Sequence, residues 1–465
     1  MQKIIVTGAE EHQAVAVIRG LGLAGLPVVA CGLKKHSAGF YSRYAAEHCC
    51  YTAPYEDARK FTTEIVEIAA RTGAGMVIPA VESTLVALDR YRHLLEDTCV
   101  LAVPPSAILE CVIDKKKTVE LARQIGVPVP KTFFASSPEE LDLIAETLPY
   151  PVALKPRGNR LHIRTEHRLG FKVKYADNTA QLRRIVRSLP PKGGAMLAQQ
   201  FVRGEGVCVA AVVNWGEPIV LFPYVRQREW PITGGISVVR ESIPLDEELR
   251  RYCENLLRVL CWHGIAMLEF KRVRSTGEYV LMEINGRFQA STALSLDAGL
   301  NLPAMVYALY SEDNPNAECV HETQYRIGVR ERWLSGDYYS LLDFLAGRTR
   351  RNAIAAVRND LPWRSRIFYE FVRDCFSKMH YDEFKSWDIK PGLVQALGMV
   401  RLTPSYLRTI ASEIYRNWQR VREEKRRARM AELAPALRVG AMPSGVETPA
   451  KEEGVPETTG AGNRT

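Results

Sequence analysis

No apolar run in this chain approaches the roughly 20 residues that a membrane-crossing helix requires, so no spanning segment is expected. The N-terminus MQKIIVTGAEEHQ has one lysine and no long apolar stretch before a small-residue cleavage site. A secretory leader is therefore not expected, and a cytoplasmic location is. The ten cysteines include no C-x-x-C pair and only Cys49 and Cys50 are adjacent. Neither a zinc ribbon nor a disulfide framework is indicated, and the thiols are expected to be reduced. Glycine is scarce where a dinucleotide site would need it. The loop from Thr7 to Glu11 holds one glycine, whereas that fingerprint needs three at fixed spacing.

What is present sets other bounds. With 465 residues and 46% hydrophobic content, the chain can bury two or three cores. A net charge of +9 points to an anionic partner, and the phosphates of a small molecule satisfy it as well as nucleic acid does. The stretch AMLEFKRVRSTGEYVLMEINGRF, residues 266–288, predicts a β-hairpin with strands Met267 to Val273 and Tyr279 to Asn285. Pairing Val273 with Tyr279 sets Lys271 opposite Leu281, Glu269 opposite Glu283 and Met267 opposite Asn285. The other face, Leu268, Phe270, Val280, Met282 and Ile284, is expected to be buried. Two carboxylates facing each other repel. A cation between them resolves this, and an oxygen-only ligand set suits Mg²⁺ against a nucleotide better than zinc. The plain alternative is a solvated strand face.

Upstream, KIIVTGAE, the helically spaced HQAVAVIRGLGLAG and the strand LPVVACG predict a βαβ opening. GMVIPAVES is a further strand, with Glu82 just beyond it. A polar group there faces ligand in open α/β sheets, or stabilises the first turn of the next helix. Arg226 and Arg228 have the spacing of one strand face and suggest a fork for an anionic substrate, while Gly234 and Gly235 let backbone approach it. A hairpin turn with exposed arginines is the competing reading.

LEFK followed by MEINGRF resembles the metal-binding hairpin of the ATP-grasp superfamily. Around it lie a D-K pair with helix and G-V-P-V-P, the strand YPVALKP, the segment MLAQQFVRGEG, and R-Q-R-E-W-P-I-T-G-G. The resemblance covers residues 1 to 310 and is nearest the carboxylate–amine ligase branch, related to the biotin carboxylase and carbamoyl-phosphate synthetase fold. It implies that Glu269, Glu283 and Asn285 hold metal and that Arg287 binds the transferred phosphate or a tetrahedral intermediate. It further implies that Lys115 and Lys155 bind phosphates, that Gln199 or Gln200 with Phe201 and Val202 hold adenine, and that Glu205, or Gly206 after a one-residue shift, meets ribose. ATP and Mg²⁺, with Mn²⁺ as a substitute, are the implied cofactors. The implied reaction makes an acylphosphate from a substrate carboxylate, for attack by an amine or other nucleophile. The chain departs from the pattern in RGNRLHIRTEHRLGFKVKY, where Gly158 and Gly170 are the only glycines. Arginine forks in place of backbone amides are one way to cover the phosphates there.

The expected fold class is α/β. A parallel-sheet domain occupies 1–107, an α+β nucleotide module 108–310, a mostly helical region 311–434 and a disordered tail 435–465. Helical spacing is read in YDEFKSWD and in PSYLRTIASEIYRNWQRVREEKRRARMAEL. The basic stretch 405–430 is a solvated helix face or a peripheral membrane contact. Small-molecule carboxylates and amines are the expected partners rather than nucleic acid. The alternatives are a catalytically weak ATP-binding regulator and a protein led to membrane or nucleic acid by that helix.

Overall fold

The computed structural model describes residues 2–158, 173–189, 194–231, 234–311, 324–349, 357 and 361–439. Most of the basic, glycine-poor segment expected over the phosphates, residues 159–172, lies outside the described residues, as does most of the tail from 435. The chain divides into two units, Met1–Ser405 and Tyr406–Thr465. Everything below except the last helix from Tyr406 onward belongs to the first. Among the described residues no helix is long and apolar enough to cross a membrane.

The chain opens with β1 (Lys3–Thr7), α1 (His12–Leu23), β2 (Val28–Gly32), β3 (Ala45–Cys50), α2 (Ala58–Thr72), β4 (Ala74–Pro79), α3 (Glu82–Arg90) and β5 (Val100–Leu101). The five strands form a parallel sheet in the order β3-β2-β1-β4-β5. Strands β1 and β2 are buried on both faces because helices cover the sheet, which is why they read as continuous apolar runs. Helix α2 starts where the Asp57 carboxylate accepts from the Lys60 amide and ends at Gly73, whose φ of 70° is the left-handed cap.

Helices α4 (Ser106–Ile113) and α5 (Lys115–Gln124) lead to β6 (Thr132–Ala135), α6 (Pro138–Leu143), β7 (Val152–Pro156), β8 (Lys174–Ala176), α7 (Thr179–Arg187) and β9 (Met196–Gln200). These strands form an antiparallel sheet, β6-β9-β7-β8, over a small core of Leu141, Val152, Leu154, Leu182 and Met196.

The largest sheet uses β10 (Gly204–Asn214), β11 (Glu217–Trp230), β12 (Ile236–Ser242), β13 (Gly264–Val273) and β14 (Tyr279–Asn285), with α8 (Glu247–Val259) between β12 and β13. After α9 (Thr292–Ala298) and α10 (Leu302–Tyr310) come β15 (Arg330–Arg332), α11 (Leu334–Leu345), α12 (Arg364–Cys375), β16 (His380–Tyr381) and α13 (Lys390–Val439). The sheet order is β14-β13-β10-β11-β12-β15-β16. Its apolar face shares one core with the parallel sheet, in which Ile5, Val29 and Val77 join Val207, Leu268 and Phe270.

Three expectations need correction. The central sheet does not stop at residue 310, since β15 pairs with β12 and β16 with β15. YDEFKSWD is not helical. It is the end of β16 and a loop in which Asp382, Glu383, Lys385 and Asp388 are all buried, so its spacing reflected ion pairing rather than an amphipathic face. The hairpin keeps Glu269 opposite Glu283 and Met267 opposite Asn285, but a bulge after Glu269 moves the outer half by one residue, pairing Phe270 with Leu281 and Lys271 with Val280. An extra residue in one strand reverses the alternation beyond it. Leu281 therefore joins the core in place of Met282, which turns into the cleft described next.

Candidate active site

An open cleft lies where α3, α4 and α5 meet the last strand of the hairpin, lined among others by Glu82, Lys115, Met282, Glu283, Asn285 and Arg287. Glu82 opens α3 without capping it, so its place in the cleft wall and its place in the first turn coexist.

Local structure fixes each charged group. Asp114 is the N-cap of α5, accepting from the Lys116 amide at 3.0 Å and from Arg157 at 2.9 and 2.7 Å. The Lys115 amide donates to the Arg157 carbonyl at 3.2 Å. Lys115 is thus tied, through its own amide and through Asp114, to Arg157, the residue just past β7, the strand that carries Lys155. The Lys155 ammonium donates to the Gln199 carbonyl oxygen at 3.0 Å, and the Gln199 amide donates onward to Thr132 at 3.2 Å. Burial lowers the Lys155 pKa, Glu283 opposes that, and Lys115 adds to it.

The two facing carboxylates are held differently. Burial raises Glu283, but Lys115 and Lys155, together with Asn285 and Arg226, outweigh it and bring the carboxyl down to about 2. Asn285 donates to Glu283 at 3.1 Å. Burial pushes the Glu269 carboxyl up against the Arg226 guanidinium, which grips it with two bonds of 2.8 and 2.6 Å, while Glu283 adds to the rise. The repulsion anticipated across the hairpin is met by three cationic side chains from three other strands and helices.

The structure brings Lys115, Lys155, Glu269, Glu283, Asn285 and Arg287 together. Arg287 lines the cleft and donates to the Phe288 carbonyl at 3.0 Å. It does not bring Arg226 and Arg228 into one substrate fork. Register shifts on either side of Arg228 break the alternation of β11. Arg226 turns to Glu269, whereas Arg228 is locked by Asp337 at 2.6 Å and Asp374 at 3.1 Å. Gly235 is required by contact, since a Cβ there would lie 2.2 Å from the Trp230 carbonyl oxygen, and Gly234 has a φ of 123°. Gln199 is occupied by Lys155 and Thr132, while the amides of Gln200 and Phe201 donate to the carbonyls of Lys131 and Pro151. Val202 follows in the link between β9 and β10. Lys271 sits 5.5 Å over the Phe201 ring. Glu205 pairs with Arg272 at 3.1 Å on an exposed face.

Sequence reasoning missed three groups. Arg157 fixes the Lys115 turn, and its signal was the Asp114 partner 43 positions away. Met282 needed the bulge. His12, at the start of α1, stacks on Trp333 at 4.6 Å, and its Nε2 is sealed from solvent without a hydrogen-bond partner. Burial lowers its pKa to about 4 despite Asp382, with Arg240 and Arg287 assisting.

Two carboxylates and an amide fit a hard divalent ion that takes its remaining ligands from phosphate and water. Among the described residues no group of three or more His, Cys, Asp and Glu side chains could hold a metal alone.

No protein-family model matches the chain. It is 28% identical over 223 residues to the N-terminal section of the carbamoyl phosphate synthase large chain of Methanopyrus kandleri, a match spanning 46% of this chain and 38% of that protein's length. Solved structures with the same fold include the L-amino acid ligase of Bacillus licheniformis, 15% identical with TM-score 0.54, covering 71% of this chain and 78% of that one. Biotin carboxylase of Campylobacter jejuni, solved with a βγ-ATP ligand, is 16% identical with TM-score 0.54 over 71% and 74%. An ADP complex of N5-carboxyaminoimidazole ribonucleotide synthetase is 15% identical with TM-score 0.50 over 66% and 76%. The chain has the ATP-grasp fold. By their names these neighbours are a ligase, a carboxylase and a synthetase, and what they share with this chain is the fold.

Proposed function

We propose that the protein is an ATP- and Mg²⁺-dependent ligase that activates a small-molecule carboxylate for attack by an amine. The observation that carries this reading is Glu283, a carboxylate kept ionised beside Lys115 and Lys155 and directly opposite Glu269. A bound Mg²⁺ would supply charge neutralisation at the β- and γ-phosphate oxygens. Glu283, Asn285 and Glu269 are the residues that would hold it, with Arg226 sharing Glu269.

Lys115 and Lys155 bind phosphate oxygens, and Gln199 aims Lys155 from behind. A substrate carboxylate oxygen attacks the γ-phosphorus, the bond to the β–γ bridging oxygen breaks, and ADP leaves. The amine then attacks the acyl carbon, inorganic phosphate departs with the bonding pair, and the amine loses a proton. Arg287 stabilises charge as it develops on the transferred phosphoryl group. No side-chain nucleophile is needed. Residues 1–107 would present the acid and 108–310 the nucleotide, with Phe201, Val202 and Gln200 near the base, Glu205 near the ribose and Gly234 and Gly235 at the acid.

The test is an ADP-release screen of paired carboxylic acids and amines with mass spectrometry of the products. Release that depends on both substrates supports the reading. Calorimetry showing no Mg·ATP binding at all would end it. One observation favours a second reading. The Arg226 fork already holds Glu269, as it would in a nucleotide-binding regulator with little turnover. Tight Mg·ATP binding without ADP release across the screen would select that alternative.

A further inference from the structure

Away from the cleft, β3 is the edge strand of the parallel sheet, and its residues alternate between partly covered and exposed. Cys49 falls on the covered side and Cys50 on the exposed one. Cys49 is in register with Cys31 of β2, which is fully buried. From the last turn of α2, Arg71 brings Nη2 to 3.1 Å from the Cys49 sulfur. A half-buried sulfur with a guanidinium on one side and a thiol on the other is the setting in which a thiolate persists at neutral pH.

We propose that Cys49 is a modification site, a nucleophilic thiolate held by Arg71 that forms a mixed disulfide with small-molecule disulfides. The Cys49 thiolate attacks one sulfur of the disulfide, the new S–S bond forms as the old one breaks, and the other half leaves as a thiolate that takes a proton from water. Cys31 stays reduced. Paired strands run about 4.7–4.9 Å apart with parallel Cβ directions, beyond the roughly 3.5–4.5 Å between Cβ atoms that a disulfide requires.

The electrostatics agree with the geometry. The neighbouring Cys31 thiol is the largest influence, burial opposes it, and Arg71 adds to it, so that Cys49 falls to about 6 while Glu47 pulls the other way. Glu47 is itself paired with Lys3 at 2.5 Å. The site is connected to the loop that precedes His12. The Cys31 carbonyl accepts from the Ala9 amide at 3.0 Å, and the hydroxyl of Tyr51, two residues past Cys49, accepts from the Gly8 amide at 3.0 Å. An adduct on Cys49 removes the negative charge that Arg71 faces and adds bulk beside these two anchors.

The experiment follows iodoacetamide labelling of each cysteine against pH by peptide mass spectrometry, on the folded full chain and on the denatured chain. The labelling midpoint is diagnostic, because a low-pKa thiolate is intrinsically a weaker nucleophile. The expected midpoint for folded Cys49 is near pH 6, against about 8.5 once denatured, with labelling at pH 6 roughly tenfold faster in the folded chain. Arg71→Met, a change at an exposed side chain, should move the folded midpoint upward. At pH 7, glutathione disulfide should leave a mixed disulfide on Cys49 that dithiothreitol removes. The proposal is overturned if the folded and denatured midpoints of Cys49 coincide, if glutathione is carried on Cys50 instead, or if a Cys31–Cys49 disulfide forms.

Discussion

Two clusters of buried charge lie on the same sheet and are built in opposite ways. Around the YDEFKSWD loop every guanidinium nitrogen of Arg19 and of Arg240 is engaged. Arg19 donates to the Asp388 carboxylate and to the carbonyls of Asp382, Glu383 and Asp388. Arg240 bridges Glu331 and Asp382, and Arg228 bridges Asp337 and Asp374. Around the hairpin, Lys155 gives its hydrogen bond to Gln199 rather than to Glu283, and both lysines act on that carboxylate by charge. The closed cluster holds the C-terminal loop against α1 and the sheet. The open one keeps cations poised beside an ionised acid at the wall of a cleft, an arrangement suited to an anionic ligand and a metal.

The comparison is broken most directly at Glu283. Glu283→Ala should reduce substrate-dependent ADP release by more than about a hundredfold with an unchanged circular dichroism spectrum, whereas retained activity would mean that the open cluster is also structural. In the closed cluster, Asp388→Ala should cost about 3–5 kcal/mol of stability in denaturant titration by leaving Arg19 buried with its carboxylate partner gone, and a loss below about 1 kcal/mol would show that the backbone carbonyls suffice. Gln199→Leu should lower the apparent affinity for Mg·ATP roughly tenfold by freeing Lys155 from its brace, read by calorimetry.

Acid titration separates groups within the two regions. His12 has a folded pKa of about 4, below the ordinary value of about 6.5, so the unfolded chain binds the extra proton. Its contribution is present above pH 6.5 and lost as pH falls through 4. Glu283, with a folded value of about 2, contributes above its ordinary value and loses that contribution as pH falls from about 4.3 through 2. His12→Asn should flatten the upper part of the stability curve and leave the lower part. The smallest effect is expected at Glu205, whose pair with Arg272 is exposed on both sides. Glu205→Ala should change stability by less than about 1 kcal/mol, so a large loss of ATP affinity in that variant would tie it to ribose instead.

Much of the site was legible because it rests on short-range periodicity. An alternation of two put Glu269 opposite Glu283 and Met267 opposite Asn285, and both pairs stand in the hairpin. The same rule failed one residue further out and again at Arg228, since a bulge leaves no mark in composition. YDEFKSWD was misread as helical because its spacing comes from charged residues that the packing buries in pairs, Asp382, Glu383, Lys385 and Asp388.

By itself the sequence determined the parallel-sheet opening, the hairpin and its facing carboxylates, because hydrophobic patterning and turn residues act over a few positions. Only the tertiary structure decided which cation meets which carboxylate. Arg226 and Glu269 are 43 residues apart, Arg19 and Asp388 are 369 apart, and such pairings are set by how the sheets and helices pack, which no local spacing encodes.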